Sequence, residues 1–201
     1  TIDPEAVGLD GYGRHGQYIE RQVARWSRQY LADDIAGRDA NMDRLIAWLP
    51  EHIPAGDETT LVHGDFRIDN LIFAPDAFAV RAVLDWELST LGHPLADFAY
   101  HLMMYRMPAL TIPGLADSDL AKLGIPSEED YVAAYCRRTG RAGIPDLDFY
   151  VAFNFFRFAA ICHGIKARMI RGTAASAEAG RLAADLPILA ALAWQQAERT
   201  A

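Results

Sequence analysis

Along the first third of the chain, apolar positions recur every three or four residues: Ile19, Val23, Trp26, Tyr30 and Leu31 form one stripe, and Met42, Leu45, Ile46 and Leu49 a second. That spacing predicts two amphipathic helices. The first starts near His15, after a glycine-rich opening from Gly8 to Gly16, and the second ends at Pro50 and Pro54. From Thr59 to Leu84 the period changes to short β-rich runs, at Thr60–His63, Leu71–Phe73 and Ala79–Leu84. Pro75-Asp76 supplies a turn, so a small hairpin is expected.

Helical patterning resumes at Pro94, a residue suited to a first helical turn, with Leu95, Phe98, Ala99 and Leu102 facing inward. Ser127-Glu-Glu-Asp130 resembles a capping box with Asp in the last place, opening a helix that closes at Gly140. Asp146 is expected to cap an aromatic-rich helix through Phe149, Phe153, Phe156 and Ile161. Residues Ala177 to Arg199 complete the pattern as helix, kinked or divided by Pro187. The fold class expected is α+β, mostly helical around one small β insert.

Composition narrows the function. A chain of 201 residues that is 51% hydrophobic can bury one substantial core. A net charge of -8 with no basic run argues against nucleic acid or an anionic membrane surface as partner. Cys136 and Cys162 lack the spacing of a disulfide framework or zinc site and read as buried thiols. The six histidines form no ligand pair, and no apolar run is long enough to span a bilayer. With no signal-peptide pattern at its start, the chain is expected to be soluble and cytoplasmic.

The chemistry concentrates in His63-Gly-Asp-Phe-Arg-Ile-Asp-Asn70 and Leu84-Asp-Trp-Glu87, at the ends of β runs where loops present side chains to ligands. Phosphoryl transfer requires a hydroxyl held in line and charge neutralised by magnesium. Asp65 can orient the hydroxyl and take its proton. Asn70 and Asp85 offer the hard oxygen ligands magnesium prefers. The Asp-x-x-x-x-Asn spacing is that of the protein-kinase catalytic loop, and the segment at Asp85 stands where the kinase Asp-Phe-Gly does.

Each of these residues alone could be a turn or cap; the shared spacing and the intervening hairpin favour the site. Asp69 is a possible further ligand, but pairing with Arg67 or a helix-one arginine is preferred. Glu87 either touches magnesium through water or bonds within its loop. His63 reads as structural, since a carboxylate beside it already fills the base role. His93 reads as a turn residue, and Gly8–Gly13 as a lead-in that lacks the ending of a phosphate loop. The aromatic set from Phe149 to Phe158 is expected to be mostly core.

His63-Gly-Asp65 with Asn70, followed by Asp85-Trp-Glu and Gly92-His-Pro-x-x-Asp97, resembles the signature of the aminoglycoside phosphotransferase and choline kinase family. The resemblance implies a protein-kinase-like C-terminal lobe using ATP and Mg2+ on a small-molecule hydroxyl. It implies Asp65 as catalytic base, Asn70 and Asp85 as metal and nucleotide ligands, Asp97 as an acid bracing the catalytic loop, and His63 and Gly64 as shapers of its turn. The runs Leu61–Phe73 and Ala82–Asp97, with Tyr18-Ile-x-Arg-Gln-Val23 and Trp48-Leu-Pro50, are similar to the kinase domains associated with acyl-CoA dehydrogenases. That branch implies a hydroxyacyl-CoA acceptor and an acyl-CoA dehydrogenase partner. Arg21, Arg25 and Arg28 could meet the phosphates of such a substrate, although a solvated face is the simpler reading.

Complete members carry an N-terminal lobe with a strand-borne lysine, whereas the only lysines here are Lys122 and Lys166. Residues 1–201 are therefore expected to form the catalytic lobe without its nucleotide-covering partner and to bind nucleotide poorly alone. The alternatives are an aminoglycoside or amino-alcohol kinase, which the acidic balance suits, a noncatalytic binding module, and a two-metal hydrolase.

Overall fold

The computed structural model describes residues 2–174 and 178–200. Helix α1 spans Tyr18–Leu31 and buries Ile19, Val23, Trp26 and Tyr30. It begins three residues later than the periodicity suggests because Gly16 and Gln17 both take left-handed backbone, φ 68° and 52°. The Gln17 N–H is diverted to Asp57 Oδ2 at 2.8 Å.

Helix α2 covers Ala40–Glu51, capped by Asp39, whose Oδ1 accepts from the N–H groups of Asn41 and Met42. Pro50 does not end it. Proline forfeits only its own hydrogen bond, tolerable one residue from the end, and termination falls at His52, whose ring bonds the Trp48 carbonyl at 2.8 Å.

Among the described residues, four strands form two antiparallel pairs. β1 (Thr60–Val62) pairs with β4 (Thr90–Gly92), Leu61 opposite Leu91. β2 (Leu71–Phe73) and β3 (Val80–Val83) form the expected hairpin, Leu71 opposite Val83. The first pair was not legible, since Thr90–Gly92 is too short to show alternation.

Helix α3 (Pro94–Leu102) starts with Pro94 in its first turn. His93 is more than a turn residue: its Nδ1 accepts from the Leu95 N–H at 3.3 Å and caps the helix. A short α4 (Leu120–Leu123) precedes α5 (Glu128–Thr139), where Ser127 Oγ accepts from the Asp130 N–H and donates to Asp130 Oδ2. That half-box caps the helix, and Gly140 at φ 71° closes it.

The 24-residue α6 (Leu147–Ile170) is the centre of the lobe. Asp146 occupies its N-cap position but makes no capping bond through its side chain. Phe149, Val151, Phe153, Phe155, Phe156 and Cys162 are all buried, so this helix is apolar nearly all round, as befits one enclosed by others. α1, α3 and α8 pack around it. α7 (Ala179–Ala184) and α8 (Leu186–Arg199) are separate helices, so Pro187, in the first turn of α8, divides the segment rather than kinking it. Ala177, where that helix was expected to start, lies outside the described residues. Cys136 and Cys162 are buried free thiols, the second pushed up to about 12, first by burial. Among the described residues, no helix is long and apolar enough to cross a membrane.

Candidate functional site

The β1–β4 pair determines where the site forms. The 63–70 loop leaves β1 just as α3 leaves β4, so the first turn of α3 lies against the loop. From that turn Asp97 reaches back, Oδ2 accepting from the His63 N–H and Oδ1 from the Gly64 N–H, each at 2.8 Å. Gly64 has φ +81°, and a Cβ there would stand 2.6 Å from the Leu88 carbonyl oxygen. Only glycine fits that backbone.

His63 is buried and bonded at both ring nitrogens. Nε2 lies 2.8 Å from the Leu84 carbonyl and Nδ1 3.3 Å from the Asp65 N–H. These partners assign the proton to Nε2, and the imidazole clips the loop to the end of β3. The Trp86 indole lies 4.8 Å from the His63 ring and donates to the Val83 carbonyl.

A single 3-10 turn, Ile68–Asn70, carries the loop into β2 and buries Asn70. The Asn70 amide nitrogen donates to the Asp65 carbonyl at 2.9 Å and to its carboxylate Oδ2 at 3.2 Å. The Leu84 N–H donates to the Asn70 carbonyl at 2.8 Å, one step beyond the Leu71–Val83 pair. The hairpin thus brings Asp85 next to Asn70, although the two are fifteen positions apart. Asp85 is exposed and left-handed, φ 64°, a conformation that costs a non-glycine residue about 1 kcal/mol.

Asp69 is exposed, with Arg67 Nε 3.6 Å from its carboxylate; the same Nε is 3.7 Å from Asp65 Oδ2. Glu87 is exposed in the 3-10 turn after Asp85. Two residues escaped sequence reasoning. Arg157, from the aromatic face of α6, donates Nη2 to the Gly64 carbonyl at 2.8 Å. Tyr100, on α3, has its phenol pushed up to about 12, first by burial and then by the Asp65 carboxylate it faces. It therefore stays protonated as a donor beside Asp65.

Among the cavities that the described residues form beside the loop, two bear on the site. One, of about 310 Å³, is lined by Arg67 and Tyr100 on the Asp65 side and by Met103, Met104, Ile112 and Phe158 beyond. The other, of about 320 Å³, lies between α1, α6 and the loop before β4, and takes in Gly64, Glu87, Arg25 and Arg157. Among the described residues, no group of three or more His, Cys, Asp or Glu side chains could hold a metal. An ion at Asn70 and Asp85 therefore needs further oxygens from a ligand, as phosphates supply.

A helical lobe around α6, with this braced loop and hairpin, defines the class: a phosphotransferase of protein-kinase-like fold. The chain belongs to the phosphotransferase enzyme family, whose model matches residues 1–150. It is 47% identical over 201 residues to acyl-CoA dehydrogenase family member 10 of Mus musculus, covering 99% of this chain and 19% of that protein. With acyl-CoA dehydrogenase family member 11 of Gallus gallus the identity is 44% over 182 residues, covering 88% of this chain and 23% of that one. A crystal structure of a provisionally assigned aminoglycoside phosphotransferase from Ralstonia eutropha JMP134 superposes with a TM-score of 0.94 at 45% identity, over 98% of this chain and 60% of its own. The chain thus spans about a fifth of the curated relatives and three fifths of the solved one.

Proposed function

We propose that this chain is the catalytic lobe of an ATP- and magnesium-dependent kinase that phosphorylates the hydroxyl of an acyl conjugate, of the hydroxyacyl-CoA kind. On this reading Asp65 orients the acceptor hydroxyl and takes its proton as the oxygen bonds to the γ-phosphorus of ATP. The bond from that phosphorus to the bridging oxygen breaks, and ADP leaves. Asp97, His63 and Gly64 hold the loop that presents Asp65.

The observation that carries the proposal is the Asn70 amide. Its nitrogen is committed to Asp65, which leaves Oδ1 without a hydrogen-bond partner among the described residues, and the Leu84 N–H bond to the Asn70 carbonyl puts the exposed Asp85 one residue from that contact. One neutral and one anionic oxygen suit a magnesium ion that keeps waters and phosphate oxygens, so the donor set fits. Bound there, the ion would neutralise charge on the transferring phosphoryl group. Asp69, held near Arg67, stays outside this set, and Glu87 is left as a contact through water.

The acyl acceptor is supported by the largely apolar cleft beside Asp65 and by the names of the mouse and chicken relatives. Those names also make an acyl-CoA dehydrogenase the partner of choice. Ile72, Phe73, Val80 and Leu84 leave apolar side chains exposed on the hairpin. The nucleotide base and a covering lobe that bears the phosphate-binding lysine would lie against it.

The test is Asp65→Asn in the full-length protein, assayed by ADP release with hydroxyacyl-CoAs, aminoglycosides and amino alcohols. Turnover of the hydroxyacyl-CoA should fall by about 10³, the scale of a lost general base, while nucleotide affinity stays within about twofold. Unchanged turnover, or release driven only by a cationic acceptor, overturns the assignment.

A further inference from the structure

The cavity between α1, α6 and the 85–90 segment holds an unusual balance of charge. In a chain of net charge -8, two guanidiniums, Arg25 and Arg157, line one small space, and Glu87 is the only carboxylate among its lining residues. Among the described residues, neither arginine has a carboxylate within ion-pair distance. Both lie against the ring of Trp26, 5.1 and 5.9 Å from its centroid, which fixes the guanidiniums without neutralising them.

Arg157 is the more constrained of the two. One Nη serves the Gly64 carbonyl, and its buried Nε has no hydrogen-bond partner among the described residues. A buried N–H without an acceptor costs about 1–3 kcal/mol. Such a group is tolerated where a ligand supplies the acceptor. Thr90 and Gln22 line the same space, and the Oε1 of Gln22 is already taken by the Trp26 indole.

We propose that this cavity is an oxyanion subsite that takes a phosphate group carried by the acceptor. It rests on the kinase reading above and extends it. Gly64 lines the cavity one residue from Asp65, and the Arg157 guanidinium lies 5.2 Å from the ring of Tyr100, which lines the apolar cleft. A substrate whose phosphates sit on Arg25 and Arg157 therefore places the rest of its length past Asp65 toward apolar walls. Arg157 binds phosphate and positions the loop at once; Arg25, exposed on α1, serves the ligand alone.

The experiment uses the full-length protein and inorganic phosphate, titrated in the presence of a chelator so that no metal-bound phosphate contributes, and followed by calorimetry. Arg25→Gln should weaken phosphate binding about tenfold, the scale of one charge-assisted hydrogen bond, and Arg25→Lys should recover most of it. With ATP and magnesium restored, Arg25→Gln should raise KM about tenfold for a hydroxyacyl-CoA. KM for the same acyl group on phosphate-free pantetheine should not move.

Equal phosphate binding by wild type and Arg25→Gln, or none by the wild type, overturns the subsite. Arginine-dependent phosphate binding by a protein that phosphorylates neither thioester supports the subsite and sinks the acceptor reading instead.

Discussion

Replacing Asp97 by Asn isolates what the brace on the catalytic loop contributes. The native carboxylate accepts one backbone N–H on each oxygen, both at 2.8 Å, and both bonds are charge-assisted. An asparagine can keep one of them, but its amide nitrogen must then face the other N–H, donor against donor. The loss is one bond to a charged acceptor, about 1.5–3 kcal/mol, with an N–H left unsatisfied in a half-buried place, so about 3 kcal/mol is expected in all. For a chain of this size that lowers Tm by roughly 6–12 °C.

Activity should fall further than stability suggests. His63 and Gly64 are the residues held, Asp65 follows them, and a shift of about 1 Å at a reacting group costs on the order of 10² in rate. Urea unfolding with an unchanged slope reports the first effect, and ADP release the second. Asp69→Asn is the control, since its carboxylate is exposed and its contact with Arg67 long. An Asp97→Asn protein that unfolds at the wild-type midpoint and keeps wild-type turnover would refute the reasoning.

Two other substitutions probe the loop and its neighbour. Gly64→Ala combines φ +81° with a Cβ 2.6 Å from the Leu88 carbonyl; it should cost about 2 kcal/mol or more by denaturant unfolding and cut turnover, and full activity would contradict the close approach. His93 is held below its ordinary value by burial first, with Glu58 opposing. Below about pH 6.5 the unfolded chain takes up a proton that the folded chain resists, so stability falls as the pH drops through that range. His93→Asn keeps the cap on Leu95 and removes the titration, so its unfolding free energy should vary less between about pH 7.5 and 5.5 than that of the wild type; an equal slope counts against burial as the cause.

The parts of the fold legible in the sequence were those whose signal is local. α1 and α2 show in the three-to-four spacing of Ile19 to Tyr30 and Met42 to Leu49, and the β2–β3 hairpin in the turn at Pro75-Asp76. The grouping of Asp65 with Asn70 is written into six consecutive positions. The parts that were not legible depend on residues far apart in the chain. β4 has three residues and no alternation, yet its pairing with β1 sets α3 beside the loop. Arg157 sits in the aromatic-rich α6 between Phe156 and Phe158, which read as core, and its partner Gly64 is 93 positions away. Arg25 read as one member of a solvated arginine face; only the approach of α6 gives it a cavity to line. Asp97 was singled out by resemblance, because nothing in a helix first turn announces which N–H groups it will meet.

These long-range contacts explain how a strained loop keeps its shape. Gly64 and Asp85 both take left-handed backbone, and at Asp85 this opposes folding by about 1 kcal/mol. Against that stand Asp97 from α3, Arg157 from α6 and the Leu84 carbonyl at the end of β3, each bonded to a different atom of residues 63 and 64. Because these restraints come from separate elements, no one neighbour defines the loop, and it cannot relax without displacing several packed parts at once. Preorganisation of this kind suits a reaction in which the protein mostly positions groups and neutralises charge. Substitutions deep in the packing of α6 against α8 should therefore act on stability first, whereas those at the three restraints should lower rate as well as stability.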